Sequence, residues 1–267
     1  MALTKLLAFG TSLLTVSSLL AAPSHSAPLT RGHAHNDYEH TRPLLDALEQ
    51  GFCSVEADIH LVDGELLVAH DRTAVKAGRT LDNLYLKPLA ERAAQNGGRV
   101  YPNGPTVILL VDIKSAAEPT YAALKPLLER YSKALTRFTP DGIQTNAVTI
   151  ILSGNRPRTV LENEPNRYAA LDGRPEDLET NPPNTLIPLI SENWAKLFHW
   201  RGLGPFPPNE QAKLVQIVRK THEQKRQIRF WGAPDLPVAW KALLEAKVDL
   251  INTDRLADLR QFMDGRR

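Results

Sequence analysis

Along this chain, apolar positions alternate between two patterns. Eight short runs are strand-like: LTRGHAH, CSVEADI, TVILLVDIKS, AVTIILSG, RYAALDG, TLIPLISEN, QIRFWGAP and VDLINTD. Within them, VILLV and VTIIL are unbroken and rich in β-branched residues, as expected of parallel strands covered on both faces. Most are separated by amphipathic stretches of helical periodicity: RPLLDALEQG, PTYAALKPLLERYSKAL, NEQAKLVQIVRKTHEQKR and LPVAWKALLEAK. Gly51 stands where a helix C-terminus favours glycine. In the helix from Asn209, Leu214, Val215 and Val218 are predicted to form one apolar stripe. ELLVAH reads as a hairpin arm after the second strand, turning at Asp63-Gly64. Eight strands with intervening helices predict an α/β fold of one domain, a (β/α)8 TIM barrel. The structural alternative is an open, doubly wound sheet. No GxGxxG or GxxxxGK[ST] follows any strand, which weakens its nucleotide-binding version. The Pro- and aromatic-rich stretch PPNTLIPLISENWAKLFHWRGLGPFPPN is expected to include a loop over the barrel mouth and to select substrate.

The N-terminus departs from this rhythm. MALTKLLAFGTSLLTVSSLLAAPSHSA has one early Lys, then an apolar run, then small residues, the order of a secretory signal peptide. The apolar stretch Leu6 to Ala22 is short for a span, holds Gly10 and several Ser and Thr, and has no basic stop signal after it. Residues 1–27 are therefore read as a signal and 28–267 as the barrel domain. The expected location is secreted or periplasmic, with no stable membrane span in the mature protein. The chain has 32 basic and 30 acidic residues, so no overall field argues for a nucleic-acid partner. Cys53 is the lone cysteine, which excludes an intrachain disulfide and reads as a buried small residue.

The chemistry collects at strand ends, where a (β/α)8 barrel places its active site. The first strand ends in His33 and His35, the second in Glu56 and Asp58, and the third in Asp112 and Lys114. The arm ends in His70-Asp71. Residues two apart on a strand share a face, so Glu56 and Asp58 can project together. Carboxylates buried without partners are costly, and three at one mouth suggest a bound cation. An all-oxygen set suits one hard divalent ion, Mg²⁺ or Ca²⁺. The plainer alternative pairs Asp112 with Lys114 and leaves Glu56 and Asp58 as strand-end caps. His60 is expected past the second strand, facing the loop. His40, His199 and His222 lack supporting neighbours and read as surface or packing residues.

GHAHNDY, SVEADIHLVDGELLVAHD and LLVDIKS together resemble the phosphatidylinositol-phospholipase-C-like phosphodiesterase superfamily. That superfamily includes glycerophosphodiester phosphodiesterases and the spider-venom phospholipase D group. HAHNDY and SVEADI have close counterparts in its "altered inheritance of mitochondria protein six" group. The resemblance is strong over residues 31–114 and returns weakly at RFWGAP and VDLINTDRLADL. It implies a catalytic pair at His33 and His70, with His35 as the alternative to His33. It also implies metal ligands at Glu56, Asp58 and Asp112, a phosphate-facing Lys114, and an aromatic near the ligand at Trp231. The sequence departs from the glycerophosphodiesterases in lacking HRG and in having Asp at the third ligand.

What the resemblance implies is metal-assisted attack on a small phosphodiester or lipid-headgroup substrate, with two histidines as acid and base. A hydroxyl beside the phosphate could replace water and give a cyclic product. Two other readings also fit the sequence. His33-Ala34-His35 also matches the paired HxH ligands of amidohydrolase-type metal hydrolases, with Asp254 ending the last strand. A non-catalytic exported barrel that binds a ligand is the other.

Overall fold

The computed structural model describes residues 26–266. The predicted signal peptide therefore lies outside the described residues except for its last two positions. Among the described residues, eight parallel strands form the framework: β1 (Gly32–Ala34), β2 (Ser54–Val62), β3 (Val107–Ile113), β4 (Val148–Gly154), β5 (Ala169–Gly173), β6 (Leu189–Asn193), β7 (Gln227–Trp231) and β8 (Leu250–Thr253). Each pairs with its neighbours in chain order, and β1 bonds both to β8 and, through Ala34 opposite Val55, to β2. The sheet is closed. The predicted TIM barrel is the observed fold, and the open sheet is excluded.

Strand alternation explains the layering. On β3, Leu109, Val111 and Ile113 face the helices and join the large core that also holds Val55, Ala57, Ile59, Ile150 and Leu152. The alternate positions face inward, where Leu110, Ile151, Ala170, Leu189 and Leu250 pack with Phe138 into a smaller cluster. One step further along the strands, the inward positions become polar: Glu56 and Asp58, Asp112, Ser153, Asp172, Ser191 and Arg229 are all inside. The apolar lower layers hold the barrel closed, and the upper layer supplies chemistry at the C-terminal ends.

The arm Glu65–Val68 pairs antiparallel with the far end of β2. Its turn residues Asp63 and Gly64 have φ of 50° and 84°, the left-handed pair that a two-residue hairpin needs. Gly51 has φ of 86° just past the helix Leu45–Glu49, in the expected helix-ending role.

Three expectations need correction. Val215 is exposed, while Leu214 and Val218 of the helix Pro208–Glu223 are buried. The apolar face is narrower than the pattern suggested. The rings of the aromatic stretch turn to one another: Trp194, Phe198 and Phe206 pack together and against Phe230, and Trp200 stacks on Phe206 at 4.6 Å. The Trp194 indole also donates to the Trp200 carbonyl at 2.8 Å. Ring burial holds these side chains together, and none of them lines the cavity. Finally, His60 lies within β2, because hairpin pairing extends that strand to Val62.

Candidate active site

A cavity of about 450 Å³ opens among the C-terminal strand ends, within the range that holds a small-molecule ligand. Glu56, Asp58 and Asp112 all line it, as do His35, His70, Lys114 and Trp231. The register explains the convergence, since Asp58 lies directly opposite Asp112 and Asp112 opposite Ser153. Glu56, two residues back on β2, shares the inward face.

Candidate ligand oxygens of Glu56, Asp58 and Asp112 lie within 4.8 Å of one another. Burial first, then the charges of Glu56 and Asp112, push the Asp58 carboxyl up to about 7 despite Lys114 and Tyr38. Asp112 is raised as well, by burial above all and by Glu56, against the pull of Lys114. Glu56 behaves oppositely. Burial acts to raise it, but Arg229 and the bond to His33 outweigh this and hold it well below the usual carboxylate range. Like charges crowded out of water are a place for a cation. The Lys114 ammonium partly fills that role, 3.1 Å from Asp58 Oδ2 and 3.1 Å from Asp112 Oδ2. The pairing of Asp112 with Lys114 is thus real, but it leaves Asp58 Oδ1 and Asp112 Oδ1 buried without hydrogen-bond partners. Two unpartnered buried carboxylate oxygens on a three-carboxylate wall fit a hard divalent cation.

The two histidines of HAH have different surroundings. His33 is fully buried, with Nδ1 2.7 Å from Ser54 Oγ and Nε2 3.0 Å from Glu56 Oε2. Arg229 Nη1 sits 2.6 Å from the same Nε2, which can donate to Glu56 or accept from Arg229 but not both. Burial, then Arg229, lowers the His33 ring to about 4 even though Glu56 opposes them. His35 lines the cavity, and its Nδ1 is 2.8 Å from Asp254 Oδ1. Burial alone would lower its pKa, but Asp254 and Glu56 outweigh that and raise it. His70 is exposed at the rim, with Nδ1 3.3 Å from Asp71 Oδ1 and its carbonyl oxygen 3.2 Å from His60 Nε2.

His33 and His35 therefore do not form a paired HxH metal site. The group among the described residues whose geometry could hold an ion is carboxylate only. His40, His199 and His222 lie outside the cavity. Cys53 is buried and free, its thiol pushed up to about 12 by burial.

Sequence reasoning missed several participants. Tyr38, within HAHNDY, places its hydroxyl 2.7 Å from both Asn36 Oδ1 and Asp58 Oδ2. Its single proton serves one of them. Arg229 alternates with Trp231 on β7 and bonds Glu56 Oε2 at 2.8 Å. A basic residue inside an apolar strand run, RFW, was the available signal. Arg174 and Asn155 complete the opposite wall and follow β5 and β4 in ordinary loop sequence. No helix among the described residues is long and apolar enough to cross a membrane.

Residues 25–172 match the AIM6-like phosphodiesterase domain, and residues 227–257 match the glycerophosphoryl diester phosphodiesterase family. The chain is 31% identical to altered inheritance of mitochondria protein 6 of Eremothecium gossypii, over 88% of this chain and 69% of that one. It is 28% identical to the Saccharomyces cerevisiae protein of that name, over 84% of this chain and 68% of the relative. Two crystal structures titled glycerophosphodiester phosphodiesterase share the fold. The one from Parabacteroides distasonis has a TM-score of 0.55 at 15% identity, covering 90% of this chain and 99% of its own. The one from Agrobacterium tumefaciens has a TM-score of 0.51 at 13% identity, covering 89% and 100%. The match over more than half its length, in the half that carries the acidic wall and three of the cavity histidine and lysine positions, shows that this chain belongs to the AIM6-like phosphodiesterase family.

Proposed function

We propose that the cavity cleaves a phosphodiester by acid–base catalysis with His35 and His70, beside a divalent cation held by Glu56, Asp58 and Asp112. The observation that carries this reading is that both histidines and all three carboxylates open on one cavity, whereas His33 is closed off from it. Each cavity histidine has Nδ1 beside a carboxylate, Asp254 or Asp71. That arrangement leaves Nε2 to exchange a proton with substrate. One ring takes the proton from the attacking oxygen, of water or of a neighbouring substrate hydroxyl. The other gives a proton to the leaving ester oxygen as the P–O bond breaks. A bound Mg²⁺ or Ca²⁺ would supply charge neutralisation at the non-bridging oxygens.

In this reading His33 is a positioning residue. It packs Glu56 between itself and Arg229 and so fixes the first carboxylate. Lys114, already between Asp58 and Asp112, is placed to meet the phosphate, and Trp231 offers a face to the substrate's organic part. A small glycerophosphodiester or lipid headgroup is the substrate class proposed. Export by a cleaved N-terminal signal belongs to the same proposal. Leu29 is already part of the core, which supports a cut before it.

The test is turnover of an aryl phosphodiester by wild type and Glu56→Gln, with metal content measured in both. The expected result is metal-dependent turnover that a chelator removes and Mg²⁺ or Ca²⁺ restores. Glu56→Gln should lose metal and activity while keeping the native circular dichroism. A wild-type protein that binds metal but turns over no diester would leave a binding protein. Equal metal and activity in the variant would refute the carboxylate assignment.

A further inference from the structure

The cavity has a second charged wall that the proposed chemistry does not use. Arg174 immediately follows β5, on the side of the closed barrel opposite β1, and lines the cavity with its side chain about 23% exposed. The other two cavity cations are engaged with the acidic wall: Lys114 with Asp58 and Asp112, and Arg229 with Glu56. Arg174 is not. Its ion pair is with Asp172, a fully buried carboxylate outside the triad.

This pairing fixes the guanidinium by one nitrogen. Nη1 shares its two N–H groups among three acceptors, Asp172 Oδ2 at 2.9 Å, the Gly173 carbonyl at 2.8 Å and Ser191 Oγ at 3.1 Å. Asp172 Oδ2 is itself held by Ser153 Oγ at 2.8 Å and Ser191 Oγ at 2.5 Å. The Arg174 backbone N–H donates to Asp177 Oδ2 at 2.8 Å, and Arg158 holds the other oxygen of Asp177. The side chain is thus braced at both ends, while Nε and Nη2 have no hydrogen-bond partner among the described residues. A guanidinium held in one plane with donors to spare is suited to a planar or tetrahedral oxyanion. The entropy of ordering its long side chain is already spent in the free protein.

We propose that Arg174 is a second anion-binding group of this cavity, and that the substrate is a phosphodiester with a further oxyanion, carboxylate or phosphate, on one of its substituents. This deepens the phosphodiesterase reading and rests on it. The scissile phosphate lies at the acidic wall beside Lys114. The substituent extends across the mouth from β3 toward β5, past β4. Neighbouring strands are about 4.8 Å apart, so the span is roughly 10 Å and suits an extended substituent.

The probes are three non-hydrolysable phosphonate monoesters, identical except that one ends in a carboxylate, one in a phosphate and one in the neutral methyl ester of the carboxylate. Binding to wild type, Arg174→Gln and Arg174→Lys is measured by calorimetry at saturating Mg²⁺. Wild type is expected to prefer at least one anionic tail over the neutral one by about tenfold or more, the scale of one charge-assisted hydrogen bond. Whichever tail is preferred identifies the oxyanion. Arg174→Gln should bring that ratio to about one, and Arg174→Lys should keep part of it. Equal loss of affinity for all three probes would mean that Arg174 only braces Asp172 or meets the scissile phosphate, and would overturn the proposal. So would a wild type without preference, or one that binds none of the probes. If Arg174→Gln does not fold, the Lys variant decides: a ratio unchanged from wild type overturns the proposal. Aryl diester turnover reports separately on the phosphodiesterase reading. A protein that discriminates the tails through Arg174 but cleaves no diester keeps the second anion site and loses the activity.

Discussion

The two walls of the cavity carry charge in opposite ways. On the wall formed by β2 and β3, Glu56, Asp58 and Asp112 crowd together, and burial with mutual repulsion raises Asp58 and Asp112. On the wall from β5 to β7, opposite charges pair, Asp172 with Arg174 and Arg229 across to Glu56, although Asp172 Oδ1 and Arg229 Nε keep no hydrogen-bond partner. Pairing satisfies a buried charge within the protein and makes a frame. Crowding leaves a demand that only something from outside can meet, and so makes a site. His33 and His35 repeat the contrast within three residues. His33 is consumed by neighbours on both nitrogens, whereas His35 is oriented on one side and open on the other.

Gly154 lies at the seam between the walls and offers the sharpest way to break the comparison. Its φ is 64°, and a Cβ there would collide with Asp112 Oδ1 and lie 2.5 Å from the Ile113 carbonyl. Gly154→Ala should therefore cost about 1–3 kcal/mol for the backbone alone, and should also displace Asp112, one of the three proposed ligands. Urea unfolding and metal titration together check this. Lowered stability with metal affinity intact would mean that Asp112 is not part of the site.

A pH dependence tests whether the loop after β1 is built the same way. Asp37 is fully buried; Oδ2 accepts from the Leu44 N–H at 2.5 Å and the Tyr85 hydroxyl at 2.8 Å, and Oδ1 has no partner. Burial pushes its carboxyl up to about 6 against those two bonds. A carboxyl raised on folding favours the protonated native state, so its contribution to stability falls as pH rises from about 4 to about 6. The change is on the order of 3 kcal/mol across that window. Asp37→Asn mimics the protonated form and should remove this part of the slope. Thermal unfolding of both proteins from pH 4 to 7 reads it directly, and parallel curves would refute it.

Much of the fold was legible because the barrel strands are short apolar-rich runs, unbroken in VILLV and VTIIL, and eight of them with intervening helices favour closure. The acidic wall was legible for a related reason. Glu56 and Asp58 are two apart on one strand, and Asp112 ends the next, so alternation alone puts them on one face. Asp172 and Arg174 come from β5 and its end and Arg229 from β7, more than fifty residues on, and only the closed barrel brings Arg174 and Arg229 to one cavity. The choice between His33 and His35 was not legible either. Both are polar residues two apart at a strand end, and what separates them is Ser54, Arg229 and Asp254, which the fold alone brings near. The aromatic loop misled because aromatic density marks a packed cluster as readily as a binding surface.

The most direct test of the account is the turnover of an aryl phosphodiester by His35→Ala and by His33→Ala, with metal content measured in each. The account predicts that His35→Ala loses about 10²–10⁴-fold in kcat, the usual contribution of one positioned acid or base, with metal content equal to wild type. His33→Ala should keep more activity than His35→Ala and weaken metal binding through Glu56. The opposite ranking, with His33→Ala the more damaging to kcat at full metal occupancy, would contradict it.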